Sequence, residues 1–154
     1  MEEGIGNRSV GIRPLESYGE DESPAQFIKM PDAPRFPGDE TRANCRAPSY
    51  SQWAFFCHDT GLYSLFHNKT SGLMKSHPGM EGFTEEHVRV VRKALAAYQK
   101  ANPRAMPGWV NDDEDDGARD IALRYDGNLA RLIWLEWWMS YALKNFENPG
   151  IYNS

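Results

Sequence analysis

The clearest hydrophobic pattern in the chain lies in residues 84–101. Apolar positions recur there every three or four residues, which is the period of a helix with one buried face. Thr84 is a good N-cap, and Asn102-Pro103 is a typical stop. We therefore predict an amphipathic helix over 84–101. Its apolar stripe consists of Val88, Val91, Leu95 and Tyr98.

A longer apolar pattern predicts a second helix from about Ala118 to Phe146, bent near 126–128. At about 100° per residue its apolar side chains form two stripes on roughly opposite sides. Such a helix either lies in the centre of the core or offers its second face to a partner, and both interpretations stay open. The first stripe is Leu132, Leu135, Met139, Leu143 and Phe146; the second is Trp134, Trp137, Trp138 and Tyr141; Glu136, Ser140 and Lys144 lie between them.

Residues 49–68 have a weaker pattern. Ser49 and Gln52 match a capping box, and Trp53, Phe56 and Cys57 follow at helical spacing. The same stretch can form a hairpin at 52–67, with its turn at Thr60-Gly61. We favour helices, because β-branched residues are scarce in the chain.

Six of the ten prolines lie before residue 49, and the apolar residues among them are isolated. Such a stretch cannot form a long helix or bury a core alone. We therefore predict an extended Pro-rich arm over 1–48, a single compact helical domain over 49–147 and a C-terminal tail over 148–154. The fold class expected is mainly α, with the alternative of an α+β fold containing the hairpin at 52–67.

The bulk properties narrow the function and the location. A chain of 154 residues suits one domain. The net charge of −5 argues against a dedicated nucleic-acid binder and allows docking onto a basic surface. The acidic start has no signal-peptide pattern, and no apolar run reaches the ~20 residues that span a bilayer. We expect a cytoplasmic protein (in the host cytoplasm, if it is viral) without a membrane partner; the oligomeric state is not predicted.

An acidic run follows the first predicted helix: Asp112, Asp113, Glu114, Asp115 and Asp116. Its first part imitates an EF-hand loop, but the twelfth position is Leu123 instead of a bidentate Glu. A solvated loop is the simplest interpretation. The functional one is an anionic patch that engages a basic partner.

Candidate metal ligands and catalytic groups are sparse. Cys45, Cys57, His58 and His67 could supply four zinc ligands, but their spacing matches no regular zinc motif. No glycine-rich phosphate loop is present, and no motif identifies a nucleophile. We therefore expect no cofactor.

These observations favour a non-enzymatic protein that binds a partner protein or complex and inhibits, masks or organises it. Trp134, Trp137, Trp138 and Tyr141 would anchor the partner, and the acidic run would steer it. The composition resembles that of small viral or mobile-element accessory proteins. One alternative is a structural subunit of a larger assembly that uses the arm. Another is a small metal-dependent hydrolase using His58, His67, His77 and Cys57.

Overall fold

The computed structural model describes residues 10–19, 28, 30–34, 52–108 and 125–153. These residues form four α-helices, one 3-10 turn and five short strands. The helices are α1 (Trp53–Thr60), α2 (Tyr63–His67), α3 (Glu85–Ala101) and α4 (Gly127–Asn145), and the 3-10 turn is Leu15–Ser17. The strands are β1 (Val10–Pro14), β2 (Gly79–Gly82), β3 (Met106–Pro107), β4 (Tyr125–Asp126) and β5 (Pro149–Asn153).

The main sheet has the strand order β1-β5-β2, and both pairings are antiparallel. In its centre Ile151 pairs with Ile12 on one side and with Glu81 on the other. Gly11 leaves room for the ring of its cross-strand partner Tyr152, because a Cβ atom at this position would overlap that ring. A second, parallel pair joins β3 to β4.

The expectation of a mainly α fold is wrong, because the fold is α+β: about 51% of the described residues are helical and about 18% lie in strands. β1 lies within the predicted arm 1–48, and β5 lies within the predicted tail 148–154. Both strands contain Gly and Pro, which have poor intrinsic strand propensity. What stabilises them is their antiparallel pairing with each other, although more than 130 residues separate them in the sequence. The hairpin considered at 52–67 is also wrong, since this segment forms α1 and α2.

The core surrounds α4. Trp134, Leu135, Trp138 and Met139 have no exposed surface, and α3, α1 and the main sheet all contact this helix. Trp53, Phe56 and Phe66 pack together at one end, with ring centroids 4.8 and 5.4 Å from Trp53. No helix in the described part of the chain is long and apolar enough to cross a membrane.

Local capping sets the helix ends. Gly61 ends α1 with a positive φ of 74°, a conformation that glycine adopts without strain. The Thr84 N–H donates to His87 Nδ1 at 2.9 Å, so a histidine completes the capping box of α3. Asp126 accepts a hydrogen bond from Leu129 N at 3.0 Å and starts α4. The helix predicted from Ala118 with a bend near 126–128 is wrong at its start, because Tyr125–Asp126 form β4 and the helix begins at Gly127. Residues 118–124 lie outside the described ranges.

Candidate functional site

A groove of about 540 Å³ lies between α3 and α4. Its volume falls within the range of ligand pockets, roughly 300–1,000 Å³. Side chains from both helices form its walls, so its shape depends on how the two helices pack. The lining residues are Glu85 and Arg92 from α3 and Glu136, Trp137, Ser140, Tyr141, Leu143 and Lys144 from α4.

Two aromatic rings form a flat wall of this groove. Trp137 and Tyr141 are four residues apart on α4 and therefore lie one above the other on the same face. Their rings are nearly parallel, at an interplanar angle of 6°, with centroids 5.4 Å apart. Both side chains are half-buried. The wall therefore combines a fixed geometry with apolar surface that a ligand can still cover.

The orientation of this wall is set from the core. Trp138 is fully buried, and its ring meets Trp137 at 73° and 4.9 Å and Tyr141 at 73° and 5.4 Å. Phe146 contacts the other side of Tyr141 edge-on, at 5.9 Å. Edge-to-face contacts of this kind are favourable and directional. The groove wall is therefore pre-organised by neighbours that are themselves packed.

The polar side of the groove is organised by Arg92. Its guanidinium donates to Glu85 Oε1 at 2.7 Å, to Glu136 Oε1 at 3.1 Å and to Ser140 Oγ at 3.0 Å. The hydrogen bonds that Arg92 donates to Glu136 and Glu85 raise its pKa further above the usual value. Ser140 in turn donates to Glu136 Oε1 at 2.8 Å. The network ties α3 to α4 and leaves the groove with balanced formal charge, since Lys144 lies at its edge.

The four aromatic residues predicted as partner anchors separate into two pairs. Trp134 and Trp138 are fully buried in the core, so on this surface they are not available to a partner. Trp137 and Tyr141 line the groove. The core interpretation of the second apolar stripe therefore holds for Trp134 and Trp138, and the partner interpretation stays a prediction for Trp137 and Tyr141.

The predicted acidic site, Asp112, Asp113, Glu114, Asp115 and Asp116, lies outside the described residues. Its role in partner binding stays a prediction.

The described members of the candidate zinc set, Cys57, His58 and His67, do not form a metal site. Cys45 lies outside the described residues, and Cys57 is fully buried, where burial raises the pKa of its thiol. The rings of His58 and His67 lie on either side of Tyr63, with centroids 4.2 and 4.9 Å from it. Among the residues that the structure describes, no three His, Cys, Asp or Glu side chains are placed to hold a metal ion.

His77, which the hydrolase alternative requires, hydrogen-bonds through Nδ1 to the Asn153 side chain beside the main sheet. Asn153 also donates to the Ser76 carbonyl oxygen at 3.1 Å. His77 is therefore part of a contact that holds the turn before β2 against β5.

Sequence reasoning did not select the polar half of the groove. Glu136, Ser140 and Lys144 stand out in the sequence only as the polar positions between the two apolar stripes of α4, and Arg92 is not among the predicted site residues. Complementary charge between the two helices could have indicated them. Arg92 and Glu85 on α3 face Glu136 and Ser140, which lie one turn apart on α4.

Known proteins provide no further guide to this site. Comparison with protein-family models, with curated proteins and with solved structures found no match to this chain.

Proposed function

We propose that this chain is a non-enzymatic binding protein that holds a segment of a partner protein in the groove between α3 and α4. By covering that segment it inhibits, masks or organises the partner. The observation that carries this proposal is the half-exposed, parallel pair of Trp137 and Tyr141. Trp and Tyr are enriched among residues that dominate binding energy, because they offer large and rigid contact surfaces.

The lining chemistry describes the segment that would fit. An apolar or aromatic side chain of the partner covers the wall formed by Trp137 and Tyr141. Polar groups of the same segment meet Ser140 and the Arg92 network on the other side. Because Arg92 is held by three hydrogen bonds within the chain itself, little ordering of this side chain is required when the partner binds.

A binding role suits this site better than catalysis. Glu85 and Glu136 both accept hydrogen bonds from Arg92, an arrangement that holds two carboxylates in place instead of offering one as a base. Asp112–Asp116 would add long-range attraction toward a basic surface on the partner. This last part of the proposal rests on the sequence, since these residues lie outside the described ranges.

The test uses a displayed random-peptide library. Peptides are selected on the wild-type protein and counter-selected on Trp137→Ala/Tyr141→Ala, and their affinities are then measured by calorimetry. The matched control is Phe55→Ala, because Phe55 is an aromatic residue of α1 that is 69% exposed. We expect selected peptides to bind the groove variant at least about tenfold more weakly, equal to 1.4 kcal/mol, and the control variant as tightly as the wild type.

Two outcomes would overturn the proposal. One is a selection that yields no peptide whose binding depends on Trp137 or Tyr141. The other is an equal loss of affinity in Phe55→Ala, which would point to a general aromatic effect. Far-UV circular dichroism and urea unfolding of each variant establish that it is folded before its affinity is interpreted.

A further inference from the structure

The outer face of α3, away from the core, carries a row of cations formed by Arg89, Lys93 and Lys100. All three are exposed, and within the described ranges none of them forms an ion pair or a side-chain hydrogen bond. Arg92 on the same helix shows the contrast, because it is bound to two carboxylates and a hydroxyl. Glu86 begins this face but is not bonded to any of the three. The row is therefore a mainly positive surface whose three cations have no ion-pair partner among the described residues, on a chain whose net charge is −5.

The three cations are aligned along the helix. At about 100° per residue they fall within about 40° of one another, and at about 1.5 Å per residue they extend over roughly 16 Å of the axis. Ala96 occupies the position between Lys93 and Lys100 on the same side. A partner that meets this face thus encounters charge in a straight line with little steric obstruction.

Apolar residues lie directly beside the row. Val90 is 45% exposed, and Ala97 and Ala101 are exposed as well. With the half-buried Ala94 they form the series Val90, Ala94, Ala97 and Ala101. Successive members are four, three and four residues apart, which is the spacing of the apolar seam between two paired helices. In that register Lys93 and Lys100 occupy equivalent positions that flank the seam. Such positions form salt bridges to a paired helix.

We propose that the outer face of α3 docks an acidic helix of a partner protein. The partner's carboxylates pair with Arg89, Lys93 and Lys100, and its small apolar side chains pack against the seam. A nucleic-acid backbone fits less well, because phosphates offer nothing to cover Val90 and the acidic chain repels them. This surface is distinct from the groove, so the inference goes beyond the proposed function.

The test titrates the full chain with a fluorescently labelled synthetic helix of about 28 residues, or four heptads. This peptide carries Ala and Leu at the seam positions and Glu at the flanking positions, and a matched peptide carries Lys instead of Glu. Binding is followed by fluorescence anisotropy for the wild type, for Lys93→Glu/Lys100→Glu and for Lys69→Glu/Lys75→Glu. The last variant has the same change in charge at exposed residues that lie outside α3.

We expect the Glu peptide to bind the wild type and the Lys69→Glu/Lys75→Glu control. Its binding to Lys93→Glu/Lys100→Glu should be at least about tenfold weaker, equal to 1.4 kcal/mol. The Lys peptide should bind Lys93→Glu/Lys100→Glu better than the wild type. Affinity for the Glu peptide should also fall between about 50 and about 300 mM salt, because the pairs are exposed to solvent. Trp137→Ala should leave this binding unchanged, which separates it from the groove.

Three results would overturn the inference. The first is no binding of the Glu peptide to the wild type, and the second is binding that survives the reversal of Lys93 and Lys100. The third is tighter binding of a duplex or single-stranded oligonucleotide than of the peptide, lost in the same variant. That result would make this face a phosphate-backbone site.

Discussion

The Nε atom of Arg92 lies 3.1 Å from Oε1 of Glu136, and this bond joins α3 to α4 across 44 residues of sequence. Glu85 holds the same guanidinium from within α3, at 2.7 Å. The side chains of Arg92 and Glu136 remain 45% and 26% exposed. Exposed ion pairs contribute little to stability individually. The importance of this pair lies in fixing the position of the polar wall of the groove relative to the aromatic one.

The first prediction concerns the energy of that pair. Arg92→Met and Glu136→Gln should each lower the free energy of unfolding by about 1 kcal/mol or less, with a coupling of about 0.5 kcal/mol in the double-mutant cycle. Urea unfolding at low and high salt measures both quantities, and the coupling should shrink at high salt. A coupling above 3 kcal/mol would mean that the pair acts as a buried one.

The second prediction separates the core tryptophans from the groove. Trp138→Ala should lower the free energy of unfolding by about 3–5 kcal/mol, because it removes a fully buried ring. Trp137→Ala should lower it by a smaller amount, about 2 kcal/mol or less, because this half-buried ring loses its contacts with Trp138 and Tyr141 but leaves no enclosed cavity. Guanidinium unfolding of the two variants gives the comparison. Equal losses would contradict the assignment of Trp137 to a surface groove.

The third prediction is a pH dependence at the start of α3. Burial lowers the pKa of His87 below 6.5, and the nearby Glu86 opposes this in part. Neutral His87 accepts the Thr84 N–H, whereas the protonated ring has no free acceptor. Because the folded-state pKa is the lower one, the stabilisation is present above pH 6.5 and is lost as the pH falls through that lower value.

The variant that tests this is His87→Gln, because Gln provides an oxygen acceptor that does not titrate in this range. The free energy of unfolding of the wild type should fall more steeply between pH 7 and pH 5 than that of His87→Gln. His67, whose pKa is also lowered by burial and by His58, titrates in both proteins and cancels in the difference. Parallel curves for the two proteins would show that the cap does not depend on the protonation of His87.

The fourth prediction concerns Asp126, which accepts hydrogen bonds from Leu129 N at 3.0 Å and from Tyr98 Oη at 2.7 Å. Asp126→Ala should lower the free energy of unfolding by about 1–2 kcal/mol, because it removes an N-cap. Tyr98→Phe should lower it by about 0.5–1.5 kcal/mol, the usual contribution of one hydrogen bond. Thermal unfolding at pH 7 measures both variants. A larger loss for Tyr98→Phe than for Asp126→Ala would show that the cap is secondary.

Tyr98 also gives an alkaline signature. Burial, with the hydrogen bond to Asp126, raises the pKa of Tyr98 to about 12. The protonated phenol therefore stabilises the fold fully below pH 10, and this contribution is lost as the pH rises from 10 through about 12. The free energy of unfolding of Tyr98→Phe should therefore fall less steeply over that pH interval than that of the wild type. A wild-type curve with the same slope as that of the variant would contradict this assignment.

Helix α3 and the main part of α4 could be predicted because their signals are local, although α4 begins at Gly127 after β4 and not at Ala118. Helix α3 was expected over 84–101 and is observed over Glu85–Ala101, since the apolar period, the cap and Asn102-Pro103 all lie within the segment itself. The helical preference for 49–68 is confirmed over the described residues 52–68, with Gly61 as the break between α1 and α2. Gln52 is the N-cap of α1 without a side-chain hydrogen bond, and Ser49 of the expected capping box lies outside the described residues.

The sheet could not be predicted, because its stability is not local. The sequence of β5, PGIYN, begins with a pair typical of a helix stop, and β1 ends in a proline. Their strand conformation follows from the pairing of Ile12 with Ile151. The groove could not be predicted for the same reason, because it depends on the packing of two helices that are distant in the sequence. Trp137 and Tyr141 are conspicuous on α4, but Arg92 becomes part of the site only when α3 packs beside them.

The position of β5 has a consequence for how the protein is made. β5 is the central strand of its sheet, yet it is the last described element to leave the ribosome. During synthesis β1 and β2 therefore emerge before β5, the strand with which both of them pair. Contacts between such distant residues slow folding, because a long loop must close before they form. The sheet can therefore form only after residues 149–153 have been synthesised. A ribosome stalled before these residues would carry a nascent chain in which β1 and β2 both lack their pairing partner.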